Sequence, residues 1–235
     1  MKILGVIPAR SGSVSIKNKN IKMLNDYPLF YYTLKQSLNS KVFDRIIVST
    51  DSKKYLNLAN KYGANTPFLR PKKLSKNNSL ATDTIAYAVL QTEKYFNEKY
   101  DLVCMLQPTT PLRILSDFKK IISLMKKNFT IYDSIISVVD VDNFHPIKMK
   151  KIINSQLTDY EYWPIENPPR QTLPKVYIVN GAFYLTKRNI LINKKSFKGK
   201  KSLPFVMPKE RSVNIDNILD FKLAALMMKK LKIIF

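Results

Sequence analysis

The sequence predicts an α/β fold in which helices cover both faces of a mainly parallel sheet. Short apolar runs alternate with segments of helical periodicity, the apolar runs are continuous, and several of them end in polar loops. Continuous apolar strands are typical of parallel sheets, because both faces of such a sheet are buried. At 235 residues the chain fits one large domain, residues 1–235.

The strands are predicted where apolar residues run without a polar break. The first, residues 2–8, stops at Pro8, and the second, residues 44–50, stops before Asp51. The remaining predicted strands are 67–69, 100–106, 134–139 and 179–185. Because ligands bind beyond the carboxyl ends of parallel strands, the loops at these ends are expected to share one crevice.

The helices are predicted where apolar residues recur every three or four positions. They are expected at 27–38, 52–62, 82–96, 116–127 and 216–230. Ser116 is expected to cap the N-terminus of the fourth helix, and Gly63 follows the C-terminus of the second.

Residues 140–178 break the alternation of strands and helices. They hold five prolines, the only histidine, the only tryptophan and several tyrosines. We expect this segment to be an arm inserted within the single domain rather than a layer of the sheet. His145 within it is expected to be structural rather than an acid–base group.

The composition argues against two classes of protein. The net charge of +23 suggests a nucleic-acid role, but the lysines are scattered and no zinc-finger or RNP-like motif accompanies them. No stretch approaches the roughly 18–20 apolar residues of a membrane span, and no signal-peptide pattern is present. The single cysteine, Cys104, excludes an internal disulfide and is expected to be a buried small hydrophobe. We therefore expect a cytoplasmic protein without nucleic-acid or membrane partners.

Residues 5–21 predict an oxyanion site. The first strand is followed by Arg10, several small hydroxyl residues, Lys17 and Lys19. Backbone N–H groups and hydroxyls can surround a phosphate while cations neutralise it. The spacing is neither that of a Walker A loop nor that of a dinucleotide fingerprint. The alternative interpretation is a solvated turn.

Arginines in loops are a second signal. Four of the seven lie in polar, proline-flanked segments: Arg10, Arg70, Arg113 and Arg170. In a chain this rich in lysine, such arginines indicate bidentate anion recognition, and the alternative is a structural ion pair. Arg170 lies in the arm, where it would either clamp a substrate carboxylate or belong to an interface.

Two further segments carry candidate side chains. Gln107 follows a central strand between prolines, so its amide either faces a ligand or belongs to a stiff connector. Asn214 and Asp216 place two oxygens on one side of an extended segment, which suits Mg²⁺. Asp216 also stands where it would cap the last helix.

The order of these motifs resembles the acylneuraminate cytidylyltransferase family, which contains the CMP-sialic acid synthetases. The most specific motifs are IPARSGS at 7–13 and LQPTTPLR at 106–113. The remaining motifs lie at 19–21, 44–51, 70–71, 81–84, 169–171, 180–184 and 215–216. The resemblance spans nearly the whole chain.

The resemblance implies a Rossmann-like three-layer α/β/α nucleotidyltransferase fold and a homodimer built through the arm. Such an enzyme transfers CMP from CTP to the anomeric hydroxyl of a nine-carbon 2-keto acid sugar, with Mg²⁺, and releases pyrophosphate. The residues implied for CTP are Arg10, Ser13, Lys19, Asn20, Arg70, Ala81 and Thr82. Those implied for the sugar are Gln107, Arg170 and Asn180. Asp216 is implied as the Mg²⁺ ligand, with Asn214 beside it, and Arg10, Lys19 and Asp216 as the catalytic groups.

The chain departs from the family pattern at three places. Val14 and Ser15 stand where the family has Lys and Gly, so we expect Lys17 or Lys19 to supply the missing charge. Asn214 stands where the family often has Asp, which predicts weaker metal binding. Ile178 stands where sialic acid enzymes often carry Arg, so legionaminic and pseudaminic acid are as plausible as sialic acid.

Three alternative functions remain at this point. Val14 and Asn214 favour a catalytically impaired homologue that binds a nucleotide or sugar. A 3-deoxy-octulosonate cytidylyltransferase is possible within the enzyme class, although the LQPTTPLR motif resembles the sialic acid branch. A nucleic-acid-binding role rests on charge alone.

Overall fold

A computed structural model describes residues 1–166 and 168–233, with the side chain of Arg170 also left out. The strands are β1 (Ile3–Pro8), β2 (Met23–Leu24), β3 (Tyr27–Pro28), β4 (Arg45–Ser49), β5 (Leu102–Met105), β6 (Ser134–Asp140), β7 (Lys150–Ile153), β8 (Gln156–Asp159), β9 (Tyr177–Lys187) and β10 (Ser202–Val206). The α-helices are α1 (Leu29–Ser40), α2 (Lys53–Lys61), α3 (Ala81–Phe96), α4 (Leu115–Lys127), α5 (Arg188–Lys194) and α6 (Ile218–Lys230).

Six strands form the central sheet, in the order β10-β6-β9-β5-β1-β4. β1 pairs in parallel with β4 and β5, and β10 pairs in parallel with β6. β9 runs antiparallel between β5 and β6. The prediction of a mainly parallel sheet is therefore confirmed. The carboxyl ends of β1, β4 and β5 meet at one edge.

Helices cover both faces of this sheet. Ile3 and Ile7 of β1 pack on one face with α1, α2 and α4, whereas Leu4 and Val6 pack on the other with α3 and α5. All four side chains are buried, which is why the strand reads as a continuous apolar run. The three-layer arrangement is confirmed, and α6 packs in a third cluster beside the start of α1.

Several boundaries differ from the sequence prediction. Residues 67–69 form no strand, although Phe68 packs on the sheet and the following Arg70 N–H donates to the Thr50 carbonyl at 2.7 Å. Ser116 lies inside α4, because the Asp117 carboxylate accepts from the Ile114 N–H at 3.0 Å and starts the helix earlier. The short strands β2 and β3, the helix α5 and the strand β10 were not predicted.

The last helix is capped by Asn217 rather than by Asp216. Asn217 Oδ1 accepts from the Asp220 N–H at 3.0 Å, and the Asp220 carboxylate accepts from the Asn217 N–H at 3.0 Å. This capping box satisfies the first N–H groups of α6. The Asp216 side chain is consequently free of the capping role.

The segment 140–178 leaves the sheet after β6 and returns in β9. Its strands β7 and β8 form a separate hairpin whose two turn residues, Asn154 and Ser155, both have positive φ. Ile152 of the hairpin is 78% exposed and Leu157 is 70% exposed. The hairpin thus projects apolar side chains outside the core.

His145 and Cys104 have structural roles, as expected. His145 Nδ1 accepts from the Ile147 N–H at 3.3 Å, so the neutral ring donates from Nε2 to the Pro174 carbonyl at 3.1 Å. Cys104 is an unpaired thiol inside β5, and burial raises its pKa to about 12. Within residues 1–166 and 168–233, none of the helices combines the length and the apolar character needed to cross a membrane.

Arg113 is fully buried and joins three segments of the chain. Its guanidinium donates to the carbonyl oxygens of Gln107 at 2.8 Å and Ala182 at 2.7 Å. It also donates to the Thr110 carbonyl at 2.6 Å and to Thr33 Oγ1 at 3.0 Å. Burial lowers the pKa of Arg113 to about 9, so the group stays charged at neutral pH. Arg113 is therefore a structural clamp held by carbonyl groups rather than an anion-binding residue.

Replacing Arg113 with Met should lower the free energy of unfolding by about 3–5 kcal/mol, because buried carbonyls lose their donors. Urea denaturation measures this change. Lys119→Met, an exposed substitution on α4, is the control and should stay within about 0.5 kcal/mol of the wild type. Equal stabilities of the two variants would contradict the clamp.

Candidate active site

A cavity of about 540 Å³ opens at the carboxyl ends of β1 and β5, as the parallel sheet predicts. Eight predicted site residues line it: Arg10, Ser13, Lys19, Asn20, Arg70, Ala81, Gln107 and Asp216. These residues come from segments far apart in the chain and converge only in the folded protein. The volume lies within the range of small-molecule sites.

The loop after β1 is anchored by Asp51 at the end of β4. One oxygen of the Asp51 carboxylate accepts from the Ser11 N–H at 2.9 Å, and the other accepts from Ser11 Oγ at 2.9 Å. The first residues of the loop therefore have fixed positions. The Asp51 charge also faces Arg70, whose Nη2 lies 4.0 Å away.

Asn20 makes a hydrogen bond within the loop after β1, and Arg10 makes one to the opposite wall of the cavity. The Asn20 amide donates to the Arg10 carbonyl at 2.9 Å. The Arg10 guanidinium donates to Asn77 Oδ1 at 2.7 Å, across the cavity. Because an amide oxygen is a weaker acceptor than a phosphate, an anionic ligand can replace Asn77 as the partner of Arg10.

Lys19 connects the loop with the segment before α6. Its ammonium donates to the Ile215 carbonyl at 2.8 Å and lies 3.6 Å from a carboxylate oxygen of Asp216. The Asp216 side chain is 74% exposed, and its other oxygen accepts from the Asn214 amide at 3.3 Å. One carboxylate and one ammonium thus stand side by side at the cavity, with Asn214 orienting the carboxylate from outside the lining.

Arg70 is 5% exposed but has an incomplete set of partners. Its Nε donates to Ser75 Oγ at 3.0 Å, whereas its buried Nη2 has no hydrogen-bond acceptor among the described residues. Burial lowers the pKa of Arg70, and the Asp51 charge acts in the opposite direction. Arg70 thus lies in the cavity wall with one guanidinium nitrogen buried and without a hydrogen-bond acceptor, which is uncommon in native structures.

Gln107 is held against Gly181 of β9. Its carbonyl accepts from Arg113, and a Cβ at position 181 would overlap the Gln107 carboxamide. Gly181 has φ of +80°, a conformation that glycine adopts without strain. Gly181 therefore permits both the positive φ of the backbone and the close approach of the Gln107 side chain.

Asn180, Lys17 and Thr82 are not among the residues that line the cavity. Asn180 is buried, and its amide is occupied by Ser137 Oγ, the Ala182 N–H and Ser212 Oγ. Lys17 is exposed, and Thr82 lies in the first turn of α3. Arg170 belongs to a short 3₁₀ helix, but its side chain lies outside the described residues.

Sequence reasoning missed the wall formed by residues 75–79. Lys76, Asn77 and Ser79 of this segment line the cavity opposite the loop after β1. The available signal was the polar run SKNNS between Arg70-Pro71 and α3. Val14 also lines the cavity and is 74% exposed, so an uncharged side chain stands where a lysine was expected.

Replacing Asp51 with Ala should release the start of the loop, since the Ser11 N–H and hydroxyl lose their acceptor. We expect amide hydrogen exchange over residues 10–13 to accelerate about tenfold, measured by mass spectrometry. Asp83→Ala, which removes an exposed ion pair with Lys195, is the matched control. Unchanged exchange over 10–13 in Asp51→Ala would contradict the anchoring role.

The family model described as "Cytidylyltransferase" matches residues 4–202. The pseudaminic acid cytidylyltransferase of Campylobacter jejuni is 34% identical and covers 97% of each chain. The N-acylneuraminate cytidylyltransferase of Escherichia coli is 34% identical over 97% of this chain, which spans 52% of that protein.

A solved structure adds a likeness of fold. The CMP:2-keto-3-deoxy-manno-octonic acid synthetase complexed with CTP aligns with a TM-score of 0.72 at 14% identity, over 98% of this chain and 100% of its own. The α/β architecture is thus shared with a CTP-complexed enzyme, although such low identity establishes the fold alone. The family model, the full-length relatives and the cavity at the strand ends agree, and the chain belongs to the cytidylyltransferase family.

Proposed function

We propose that the protein transfers CMP from CTP to the anomeric hydroxyl of a nine-carbon 2-keto acid sugar and releases pyrophosphate. The sugar would be sialic acid or a relative such as legionaminic or pseudaminic acid. The observation that carries the proposal is the convergence of Arg10, Lys19, Arg70 and Asp216 on one cavity. The substrate class is supported by relatives matched over their full length that are named as a pseudaminic acid cytidylyltransferase and a CMP-N,N'-diacetyllegionaminic acid synthase.

The chemistry needs positioning and charge neutralisation rather than a covalent intermediate. The anomeric hydroxyl oxygen attacks the α-phosphorus of CTP in line, its proton leaves to solvent, and the bond from the α-phosphorus to the bridging oxygen of pyrophosphate breaks. In our proposal Arg10 and Lys19 stabilise the negative charge of the phosphates, with Ser13 and Asn20 beside them. The cytosine would lie beside Arg70, near Ala81.

The sugar is expected to lie on the Gln107 side of the cavity. Arg113 holds the backbone carbonyl of Gln107, the Gln107 carboxamide packs closely on Gly181, and Gln107 lines the cavity. We propose that its amide binds a sugar hydroxyl. Arg170 of the arm is proposed to meet the sugar carboxylate, as bidentate arginine–carboxylate pairs do.

Mg²⁺ is the proposed metal. Among the described residues there is no cluster of three His, Cys, Asp or Glu side chains that would hold a metal ion. Mg²⁺ nevertheless binds through one or two carboxylates together with substrate phosphates, and the exposed Asp216 carboxylate at the cavity fits that mode. Bound there, the ion would neutralise phosphate charge, while Lys19 keeps the carboxylate facing the cavity.

A catalytically impaired homologue is the second candidate function, favoured by the exposed Val14 in the cavity wall. Such a protein would bind CTP without turning it over. The pyrophosphate assay below separates it from the enzyme.

The purified protein, incubated with CTP, Mg²⁺ and a panel of 2-keto acid sugars, should release pyrophosphate with at least one nine-carbon sugar. Asp216→Asn should reduce the rate at least a hundredfold, because the metal loses its charged ligand. Asp83→Asn on the surface of α3 should keep the wild-type rate. Release only with an eight-carbon sugar would reassign the substrate, and CTP binding without release would favour the impaired homologue.

Gly181→Ala should impair catalysis through Gln107. The added Cβ must displace the Gln107 carboxamide, so we expect the KM for the sugar to rise about tenfold or more while the KM for CTP changes little. The control is Gly63→Ala, at a glycine outside the cavity lining whose φ of +98° imposes a similar backbone strain. An equal rise in both KM values would argue against a specific effect on Gln107.

We further propose a homodimer formed through the arm, working in the cytoplasm, where the single cysteine would stay reduced. The support is the group of large apolar side chains that the arm exposes to solvent. Several such side chains on one segment are typical of an interaction surface, whereas single exposed apolar residues are ordinary. The members of this group include Phe144, Ile152, Leu157, Tyr162 and Ile165.

Light scattering after size exclusion should give a dimer mass for the wild type and a monomer mass for Ile152→Asp combined with Leu157→Asp. A charge on each apolar contact opposes burial. Leu90→Asp, an exposed position on α3, is the control. A wild-type monomer would exclude the proposal.

A further inference from the structure

The cationic side chains of the cavity differ in the hydrogen bonds and ion pairs that they make with the protein. Arg10 donates to Asn77, Lys19 donates to the Ile215 carbonyl and faces Asp216, and Arg70 is held by Ser75 beside Asp51. Lys76 also lines the cavity, yet no carboxylate or acceptor among residues 1–166 and 168–233 pairs with its ammonium group. Lys76 is therefore the uncommitted cation of this wall.

The backbone that carries Lys76 is well fixed although its side chain is exposed. The Ser79 N–H donates to the Lys76 carbonyl at 3.2 Å, and Ser79 Oγ donates to the Lys73 carbonyl at 3.2 Å. Ser75 Oγ accepts from Arg70 on the preceding side. Hydrogen bonds thus hold the backbone of this loop, while the exposed Lys76 side chain carries its ammonium group on a flexible stem.

The position of this loop brings Lys76 close to the phosphate-binding loop. Its neighbour Asn77 is the residue that Arg10 reaches at 2.7 Å, across 67 residues of sequence. Adjacent Cα atoms lie about 3.8 Å apart, so the Lys76 Cα lies within about 10 Å of the Arg10 guanidinium. The opposing loop offers Val14 here, and Lys17 is not part of the lining, so the loop leaves charge to be supplied from the other wall.

We propose that Lys76 binds the terminal phosphates of the nucleotide and so distinguishes a triphosphate from a monophosphate. This inference rests on the proposed CTP-dependent reaction. A triphosphate carries more charge than Arg10 and Lys19 can balance while they keep their own partners. The flexible ammonium of lysine can stay with the pyrophosphate group as it separates, because it acts as a point charge without a fixed fork geometry.

The test compares Lys76→Met with Lys73→Met, a neighbouring exposed lysine outside the cavity lining. Calorimetry would measure the binding of cytidine, CMP and CTP to each variant at one ionic strength. We expect Lys76→Met to weaken CTP binding about tenfold, to leave the binding of cytidine and CMP unchanged and to reduce the salt dependence of CTP binding. Lys73→Met should match the wild type, and Lys76→Arg should recover most of the CTP affinity.

Two results would overturn the assignment: wild-type CTP affinity in Lys76→Met, or an equal loss for cytidine and CTP. Because these are binding measurements, they remain decisive if the wild type fails to turn over every sugar, an outcome that rejects only the proposed reaction. A wild type that binds no CTP would reject both proposals.

Discussion

The buried guanidinium of Arg113 is the constraint on which the cavity depends. It draws carbonyl groups from the β5–α4 loop and from β9 to one point, with Thr33 of α1 closing the set. The desolvation cost of this charge is offset only while all its acceptors are in place. Gln107 and Gly181, on either side of this point, are thereby held in contact. The floor of the cavity is rigid because moving it would leave the buried Arg113 guanidinium without its hydrogen-bond acceptors.

The walls of the cavity follow a different rule. Their polar groups are paired with one another through bonds that a phosphate can replace, such as Arg10 with Asn77 and Lys19 with Asp216. The exceptions among the described residues are the Nη2 of Arg70, which is buried without an acceptor, and the exposed ammonium group of Lys76. A fixed floor and exchangeable wall contacts suit a site that must bind a large polyanion and release part of it. The Asp51 carboxylate accepts two hydrogen bonds from Ser11 and lies 4.0 Å from Arg70, so it connects the loop after β1 with the segment that carries Arg70.

The sequence predicted what depends on hydrophobic pattern and missed what depends on side-chain geometry. Continuous apolar runs identified the sheet, and the strand-end rule gathered Arg10 and Gln107 into one site, whereas Asp216 was placed there only by the family resemblance. The N-terminus of α4 was misplaced because Asp117 can satisfy the Ile114 N–H from inside the helix. Asn180 looked like a ligand contact because nothing in the sequence reveals that Ser137 and Ser212 occupy its amide. The wall at 75–79 was missed because its polar run has no periodicity and becomes informative only beside Arg10.

The β7–β8 hairpin has a kinetic consequence. Asn154 and Ser155 both have positive φ, which matches the twist of a two-residue turn, and an ion pair joins Lys150 to Asp159 near the open end. All its contacts are local, so this element can form within about 1–10 μs, long before β1 meets β5 across some hundred residues. A two-stranded hairpin without its own core is only marginally stable. The tip of the arm is therefore among the earliest structures to appear during folding, and its stability in the native protein depends on what it packs against in the assembly.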